Sequence, residues 1–281
     1  MGSLEVIRAE HAGACYGVQR ALDMTLAAAE QEGSVCTLGP LIHNPRVVAE
    51  LSSRGIAVAE GVDDVAADSV VIRSHGVVPS VLHDLEQRGA DIVDATCPHV
   101  MRAQRAAAKL ARAGRHVIVV GEAGHPEVEG ISAHAIEAGG SCTVVGSADD
   151  LPSGLISPIG VVVQTTQSRE RFDEVLGELE KRGLDVEVRD TICFATVQRQ
   201  RAAVELSSRV DAMVVIGGRN SSNTTRLFEI CAERAPRAFH IESADEIDPS
   251  WFEGCTLVGV SAGASTPDDQ IEDVLSHLRS L

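Results

Sequence analysis

Two patterns of hydrophobic residues alternate along the chain. Short runs rich in Val, Ile and Leu are followed by longer stretches in which apolar residues recur every three to four positions. The short runs are typical of buried strands, and the longer period is typical of amphipathic helices. The pattern predicts strands in VCTLG, SVVIRS, HVIVVG, CTVVG, GVVVQT, AMVVIGG and TLVGVS. It predicts helices over residues 18–31, 45–54, 79–88, 98–113, 168–182, 194–208, 222–234 and 268–279.

The alternation indicates an α/β fold with parallel sheets, because parallel strands need a crossover connection that a helix usually supplies. Aromatic residues make up only 2% of the chain, so Val, Ile, Leu and Ala must build the core. That composition favours helices packed on strands that are buried on both faces.

A cysteine motif occurs three times. Cys15 opens CYGVQRA, Cys97 opens CPHVMRA, and Cys193 opens CFATVQRQRA, which has one residue inserted before its Val-x-Arg. DATC, which ends at the second of these cysteines, is echoed by DTIC, which ends at the third. The repeat predicts three similar α/β units in a pseudo-threefold arrangement, over residues 15–96, 97–192 and 193–281, the last joined by an N-terminal strand within 1–14.

Three equivalent thiols suggest a metal centre. A single Cys could simply be a small residue in a tight strand-to-helix turn, but three in register favour a shared role. A helix N-terminus also favours the thiolate. Three thiolates without a matching fourth ligand suit an iron–sulfur cluster with one open iron, or zinc with a catalytic water. Both metals stay open at this point, with a modest preference for the cluster.

Charge and hydropathy exclude several classes of protein. The net charge is −17 with only two lysines, which argues against nucleic-acid binding by phosphate neutralisation. No apolar run approaches the roughly 18 residues of a membrane span, and the start of the chain lacks the pattern of a signal peptide. We therefore expect a soluble cytoplasmic protein with no membrane partner.

Polar residues cluster where predicted strands end, which is where α/β proteins bind ligands. Hydroxyl and amide groups before helices are usually N-caps, but the same groups and free N–H donors also bind phosphate. Together with several histidines, such loops could hold a diphosphate without any lysine. The candidates are His43, His75, His125, Glu127, Gln164, Thr165, Thr166, Ser221, Ser222, Asn223, Ser265 and Thr266.

These motifs, in this order, resemble the LytB/IspH family of 4-hydroxy-3-methylbut-2-enyl diphosphate reductases. The resemblance runs from GACYGV to AGAST through HN, SHG, DATCP, GHPEVEG, QTT, DTICFAT and NSSN. It implies a trefoil of three α/β units around a [4Fe-4S] cluster. It also implies reductive dehydroxylation of an allylic diphosphate to isopentenyl and dimethylallyl diphosphate, with reduced ferredoxin or flavodoxin as the electron donor.

The resemblance also assigns roles to residues. Cys15, Cys97 and Cys193 would each ligate an iron, leaving the fourth iron without a protein ligand and open to the substrate hydroxyl. Glu127 matches the carboxylate that delivers a proton, and His125 and Thr165 match the network on the hydroxyl side. Those two residues also belong to the substrate-binding set, with the residues that match the diphosphate clamp: His43, His75, Ser221, Ser222, Asn223 and Ser265. We expect Glu129 to be structural or solvent-facing.

Two departures from the family pattern lie next to cysteines. Ala14 precedes the first cysteine where many members have an aromatic residue, and Tyr16 follows it; Phe194 follows the third where Tyr is common. The rival interpretations are an aconitase-like dehydratase, which needs no reductant, a non-catalytic iron–sulfur redox sensor, and a zinc hydrolase.

Overall fold

Parallel strands and helices alternate along the computed structural model, which describes residues 4–31 and 33–281. The strands in these ranges are β1 (Glu5–Arg8), β2 (Val35–Leu38), β3 (Ala57–Ala59), β4 (Ser69–Ile72), β5 (Asp91–Asp94), β6 (His116–Val120), β7 (Cys142–Val145), β8 (Ile159–Val163), β9 (Val186–Arg189), β10 (Ala212–Ile216), β11 (Ala238–Ile241) and β12 (Leu257–Ala262). The α-helices are α1 (Tyr16–Ala29), α2 (Pro45–Ser53), α3 (Pro79–Gln87), α4 (Pro98–Arg112), α5 (Pro126–Glu137), α6 (Arg169–Lys181), α7 (Phe194–Ser207), α8 (Ser222–Ala232) and α9 (Asp268–Arg279).

The strands form three four-stranded sheets in which every pair is parallel. Their orders are β3-β2-β4-β5, β7-β6-β8-β9 and β1-β12-β10-β11. The predicted α/β class with parallel sheets is therefore confirmed. The three-unit boundaries at residues 15–96, 97–192 and 193–281 stay a prediction.

Contacts between residues divide the chain into two compact units. The terminal unit contains the described residues up to Tyr16, together with His43–Pro45 and Phe194–Leu281. The central unit contains Gly17–Ile42 and Arg46–Cys193. The sheet containing β10 belongs to the terminal unit, and the other two sheets belong to the central unit.

The inner strands are buried on both faces, which explains their continuous apolar sequences. In β6, Ile118 and Val120 pack into one hydrophobic cluster with α6, whereas Val117 and Val119 pack into another with α4 and α5. All four of these side chains are fully buried. Helices on both faces thus remove from water the side chains that alternate along each inner strand.

Sequence patterning missed one helix and four outer strands. The helix α5 begins at Pro126 with His125 as its N-cap, and Gly130 interrupts its apolar pattern. That glycine lies against α4, where an added Cβ would come 3.1 Å from the side-chain nitrogen of Gln104. The missed strands are β3, β5, β9 and β11, which lie at sheet edges. Each has only three or four residues, most of them partly exposed, so no long apolar run marks it.

All helices within residues 4–31 and 33–281 fall short of the length and hydropathy that a membrane crossing needs.

Candidate active site

Each of the three repeated cysteines ends a loop and immediately precedes a helix. Cys15 precedes α1, Cys97 is the N-cap of α4, and Cys193 precedes α7. All three are half-buried. The first-turn N–H groups of a helix carry partial positive charge, so each of these cysteines lies at the positive end of a helix. The positions match the sequence prediction of a Cys at each strand-to-helix turn.

In the central unit, two of these cysteine loops are fixed to a neighbouring loop in the same way. The backbone N–H of Cys97 donates to the carbonyl of Ser74 at 2.9 Å, and that of Cys193 donates to Thr165 at 2.9 Å. Ser74 and Thr165 each lie two residues beyond the end of an inner strand, β4 or β8. The backbone bond therefore ties each cysteine to the loop that carries candidate substrate ligands.

The terminal unit contains the same bond in a longer loop. The N–H of Cys15 donates to the carbonyl of Ala264 at 3.1 Å, two residues beyond the end of β12. The loop before this cysteine passes through His11 with φ of 48° and Gly13 with φ of 110°. Six residues separate β1 from this cysteine, against two between β5 and Cys97 and three between β9 and Cys193. The left-handed conformations let this longer loop turn and keep the bond.

The echo between DATC and DTIC is an Asx turn. A side-chain oxygen of Asp94 accepts the N–H of Thr96 at 2.9 Å, and a side-chain oxygen of Asp190 accepts the N–H of Ile192 at 3.1 Å. The aspartate carboxylate satisfies a backbone donor just before the cysteine, in the way that Asx turns do. The repeated aspartate is thus explained by the shape of the loop.

The side chain of Glu127 is buried at the start of α5, with 1% of its surface exposed. The N–H of Thr165 donates to one carboxylate oxygen at 2.6 Å, and the Thr165 hydroxyl donates to the other at 2.9 Å. Burial raises the pKa of Glu127 from 4.5 to about 7, although the two hydrogen bonds from Thr165 act to lower it. A carboxyl group with this pKa can hold and release a proton near neutral pH.

Two histidines of the central unit are linked to the start of α5, where Glu127 lies. His125 Nδ1 accepts the backbone N–H of Glu127 at 3.1 Å, which places the proton of the neutral ring on Nε2. The His75 ring packs edge-on against His125, with the ring centroids 5.4 Å apart. The structure therefore brings four predicted residues together: His75, His125, Glu127 and Thr165.

In contrast, Glu129 is exposed, as expected.

In the terminal unit, the loops after β10 and β12 carry the other predicted ligands. Ser221 caps α8 by accepting the N–H of Thr224 at 3.3 Å. The Ser265 hydroxyl donates to the carbonyl of His43 at 3.1 Å. Ser222 and Asn223, in the first turn of α8, are also buried. Four of the predicted residues, Ser221, Ser222, Asn223 and Ser265, therefore follow two adjacent strands at the carboxyl edge of this sheet. The fifth, His43, comes from the segment between β2 and α2 and accepts the Ser265 bond through its carbonyl.

Asn223 offers a buried hydrogen-bond donor to a ligand. Within the part of the chain that the structure describes, its side-chain nitrogen has no acceptor and is inaccessible to water. An unsatisfied buried amide costs free energy, which a bound acceptor such as a phosphate oxygen would recover. The first turn of α8 supplies positive potential in the same place.

The family model described as LytB protein matches residues 6–279. The chain belongs to the LytB family. It is 45% identical over 281 residues to the 4-hydroxy-3-methylbut-2-enyl diphosphate reductase of Geobacter metallireducens, covering 99% of this chain and 98% of the relative.

Two solved structures resemble this LytB chain. The first is (E)-4-hydroxy-3-methyl-but-2-enyl diphosphate reductase, described as the terminal enzyme of the non-mevalonate pathway, at 42% identity and a TM-score of 0.71, covering 99% of this chain and 100% of the other. The second is the E-1-hydroxy-2-methyl-but-2-enyl-4-diphosphate reductase of Plasmodium falciparum, at 22% identity and a TM-score of 0.90, covering 98% and 88%. At that identity the second supports the fold alone.

Sequence reasoning missed one buried polar residue beside these candidate ligands. Asn44 is buried, and its side-chain nitrogen donates to the Ser265 carbonyl at 2.8 Å and to Gln270 at 3.0 Å. In the sequence it stands out only as the second residue of the HN motif. A polar residue next to a candidate His, at a strand-to-helix turn, is the signal that could have revealed it.

The other four cysteines lie outside these loops. Cys36 and Cys231 are buried, and Cys142 and Cys255 are half-buried. Burial raises the pKa of the Cys36, Cys142 and Cys231 thiols, so these three stay protonated and behave as small hydrophobic side chains.

Proposed function

We propose that this chain catalyses the reductive dehydroxylation of 4-hydroxy-3-methylbut-2-enyl diphosphate to isopentenyl and dimethylallyl diphosphate. The observation that carries the proposal is the buried carboxyl group of Glu127, whose pKa is about 7, held by Thr165 in a LytB chain. The reaction consumes two electrons and two protons. One proton leaves with the hydroxyl group as water, and the other is added to carbon.

We assign the cofactor, a [4Fe-4S] cluster, to Cys15, Cys97 and Cys193, with one iron lacking a protein ligand. The donor set supports this assignment, because the three cysteines make the same kind of backbone hydrogen bond and each immediately precedes a helix. Soft thiolate ligands select iron–sulfur clusters. When bound, the cluster supplies the electrons and a Lewis acid for the substrate hydroxyl.

Glu127 acts as the proton donor in this proposal. Because burial raises its pKa to about 7, the carboxyl group is protonated in a large fraction of the molecules near neutral pH. Hydrogen bonds from Thr165 fix the positions of both carboxyl oxygens. His125 and Thr165 complete the network at the hydroxyl end of the substrate. General acids work best when their pKa lies near the working pH.

We assign diphosphate binding to the residues that match the clamp of the family, each considered within its own unit. In the central unit the assigned residue is His75, whereas His125 belongs to the network on the hydroxyl side. The terminal unit would contribute His43, Ser221, Ser222, Asn223 and Ser265, of which Asn223 supplies the buried amide donor described above. Hydroxyl, amide and backbone N–H donors at a helix start bind phosphate without a lysine, and this chain has only two lysines.

Reduced ferredoxin or flavodoxin is the expected electron donor, and the cytoplasm is the expected compartment. The dehydratase, sensor and zinc-hydrolase interpretations are not favoured, because full-length relatives carry the reductase name.

The test is anaerobic. The chain is reconstituted with iron and sulfide, reduced methyl viologen is added, and viologen oxidation is followed after addition of the hydroxylated C5 diphosphate. Substrate-dependent oxidation is expected. A chain that holds a full four-iron cluster and still shows no turnover would contradict the proposal.

A further inference from the structure

The arginine of each cysteine motif donates a hydrogen bond to a loop that carries a different cysteine. In the central unit, Arg20 Nη1 donates to the carbonyl of Thr96 at 3.2 Å, and Arg102 Nη2 donates to that of Ile192 at 3.5 Å. These carbonyls belong to the residues immediately before the second and the third cysteine. The helix that follows one cysteine thus supports the loop of the next.

The third arginine completes the series inside the terminal unit. Arg199 Nη2 donates to the carbonyl of Gly13 at 2.6 Å, two residues before the first cysteine. Arg199 is buried, with 4% of its surface exposed. The residue inserted in the third motif moves this arginine one place further from its own cysteine than in the first two motifs.

The three hydrogen bonds are of the same type, from a guanidinium group to a backbone carbonyl oxygen. A guanidinium group is charged at all working pH values, and its bonds to carbonyl oxygens are charge-assisted and stronger than neutral ones. Each bond also brings a positive charge close to a loop that ends at a proposed cluster ligand. Arg199 is buried, Arg20 is half-buried and Arg102 is exposed, so solvent screening should weaken the bonds in that order.

We propose that Arg20, Arg102 and Arg199 are positioning residues for the cluster ligands, each holding the loop of the next cysteine and the last holding the loop of the first. The inference rests on the proposed function, since it assumes that the three cysteines ligate one cluster. Groups behind a metal ligand orient it, and their loss weakens metal binding by about 10- to 100-fold. The positive charges also raise the reduction potential of the cluster.

The test compares cluster-loaded variants under anaerobic conditions. Arg20→Met and Arg102→Met remove the donors and keep the apolar stem, whereas the matching Lys variants keep the charge. Because Arg199 is buried, Arg199→Lys is used there, with the unfolding midpoint as a check on folding. The control is Arg201→Met on the same helix α7, since the Arg201 side chain is 80% exposed and pairs with Glu205 one turn away.

The rate of amide hydrogen–deuterium exchange in each loop shows which loop a given arginine stabilises. In Arg20→Met, amide exchange should increase on the order of tenfold in the loop before Cys97. The loop before Cys15, which lies closer to Arg20 in sequence, should be unchanged. Arg102→Met should act in the same way on the loop before Cys193, and less strongly. Redox titration should give a more negative potential for the Met variants and a nearly native one for the Lys variants.

Several results would overturn the inference. Exchange that rises at the arginine's own cysteine loop, or equally throughout the chain, would contradict the assignment of each arginine to the next loop. Potentials and exchange rates equal to those of Arg201→Met would remove any positioning role. If native protein takes up no cluster, the result contradicts the proposed function and not this inference alone. If native protein takes up the cluster and turns over while the variants match the control, only this inference is contradicted.

Discussion

The buried carboxyl group of Glu127 makes stability depend on pH. Its pKa in the folded protein is about 7, against an ordinary value of 4.5. The folded chain therefore binds this proton more tightly than the unfolded chain does. The contribution to stability is fully present below about pH 4.5, is lost as pH rises towards about 7, and stays lost above that value.

Glu127→Gln removes this dependence. The gap between 4.5 and about 7 corresponds to roughly 3 kcal/mol as an order of magnitude, at 1.36 kcal/mol for each pKa unit. The amide is neutral at every pH and has nearly the shape of the protonated acid. Its oxygen can accept the Thr165 N–H, and its nitrogen can donate to the Thr165 hydroxyl. We expect the variant to be more stable than the native protein above pH 8, with the difference shrinking towards pH 5.

The assay is thermal unfolding of native protein, Glu127→Gln and Glu129→Gln at one scan rate between pH 5.5 and 8.5. For a chain of this size, 1 kcal/mol moves the midpoint by about 2–4 °C, so a difference of roughly 3 kcal/mol should raise the midpoint of the first variant by roughly 6–12 °C at pH 8.5. The exposed Glu129 serves as the control and should show no such trend. A constant difference between Glu127→Gln and native protein across the range would refute the raised pKa. The same variant should lose about 10²- to 10⁴-fold in turnover as the proton donor is removed.

Further predictions concern the neighbours of this carboxyl group and the ligand loops. Thr165→Val removes a hydrogen bond that lowers the pKa of Glu127, so the fall in turnover on the alkaline side should move to higher pH. A pH–rate profile that does not move would contradict the role of Glu127 as proton donor. Asn223→Ala should raise KM about tenfold or more with kcat nearly kept, whereas a fall in kcat at constant KM would place the amide outside substrate binding. Gly121→Ala would place a methyl carbon 2.6 Å from the nearest side-chain carbon, so the variant should lose about 1–3 kcal/mol of unfolding free energy, measured by thermal unfolding. The control is Gly177→Ala on α6, where no atom lies within 4 Å of the added carbon, and it should be neutral or stabilising.

Sequence patterning predicted the fold best where burial dominates. All six inner strands came from apolar runs, because both of their faces are covered. The outer strand β9, with Glu187 and Arg189 among its four residues, keeps charged side chains in contact with solvent. Its strand conformation depends on pairing with β8, which no local pattern reports.

The site was predictable to the extent that it repeats. The three cysteines could be found from the motif, and their placement before helices followed from the strand-to-helix order. The sequence shows the arginines of the same motif but does not predict their hydrogen bonds, because the carbonyl partners lie in distant segments. Arg20 and Thr96, for example, are 76 residues apart. The pKa of Glu127 likewise depends on burial that only the folded chain creates.

The most direct measurement of the central claim is the stoichiometry of one turnover in D₂O. Cluster-loaded protein is given the hydroxylated C5 diphosphate and a counted amount of reduced viologen, and the products are analysed by mass spectrometry. The account predicts two electrons consumed for each isopentenyl or dimethylallyl diphosphate formed, with one solvent deuterium on carbon. Product formation without electron consumption, or loss of the hydroxyl group without deuterium on carbon, would contradict it.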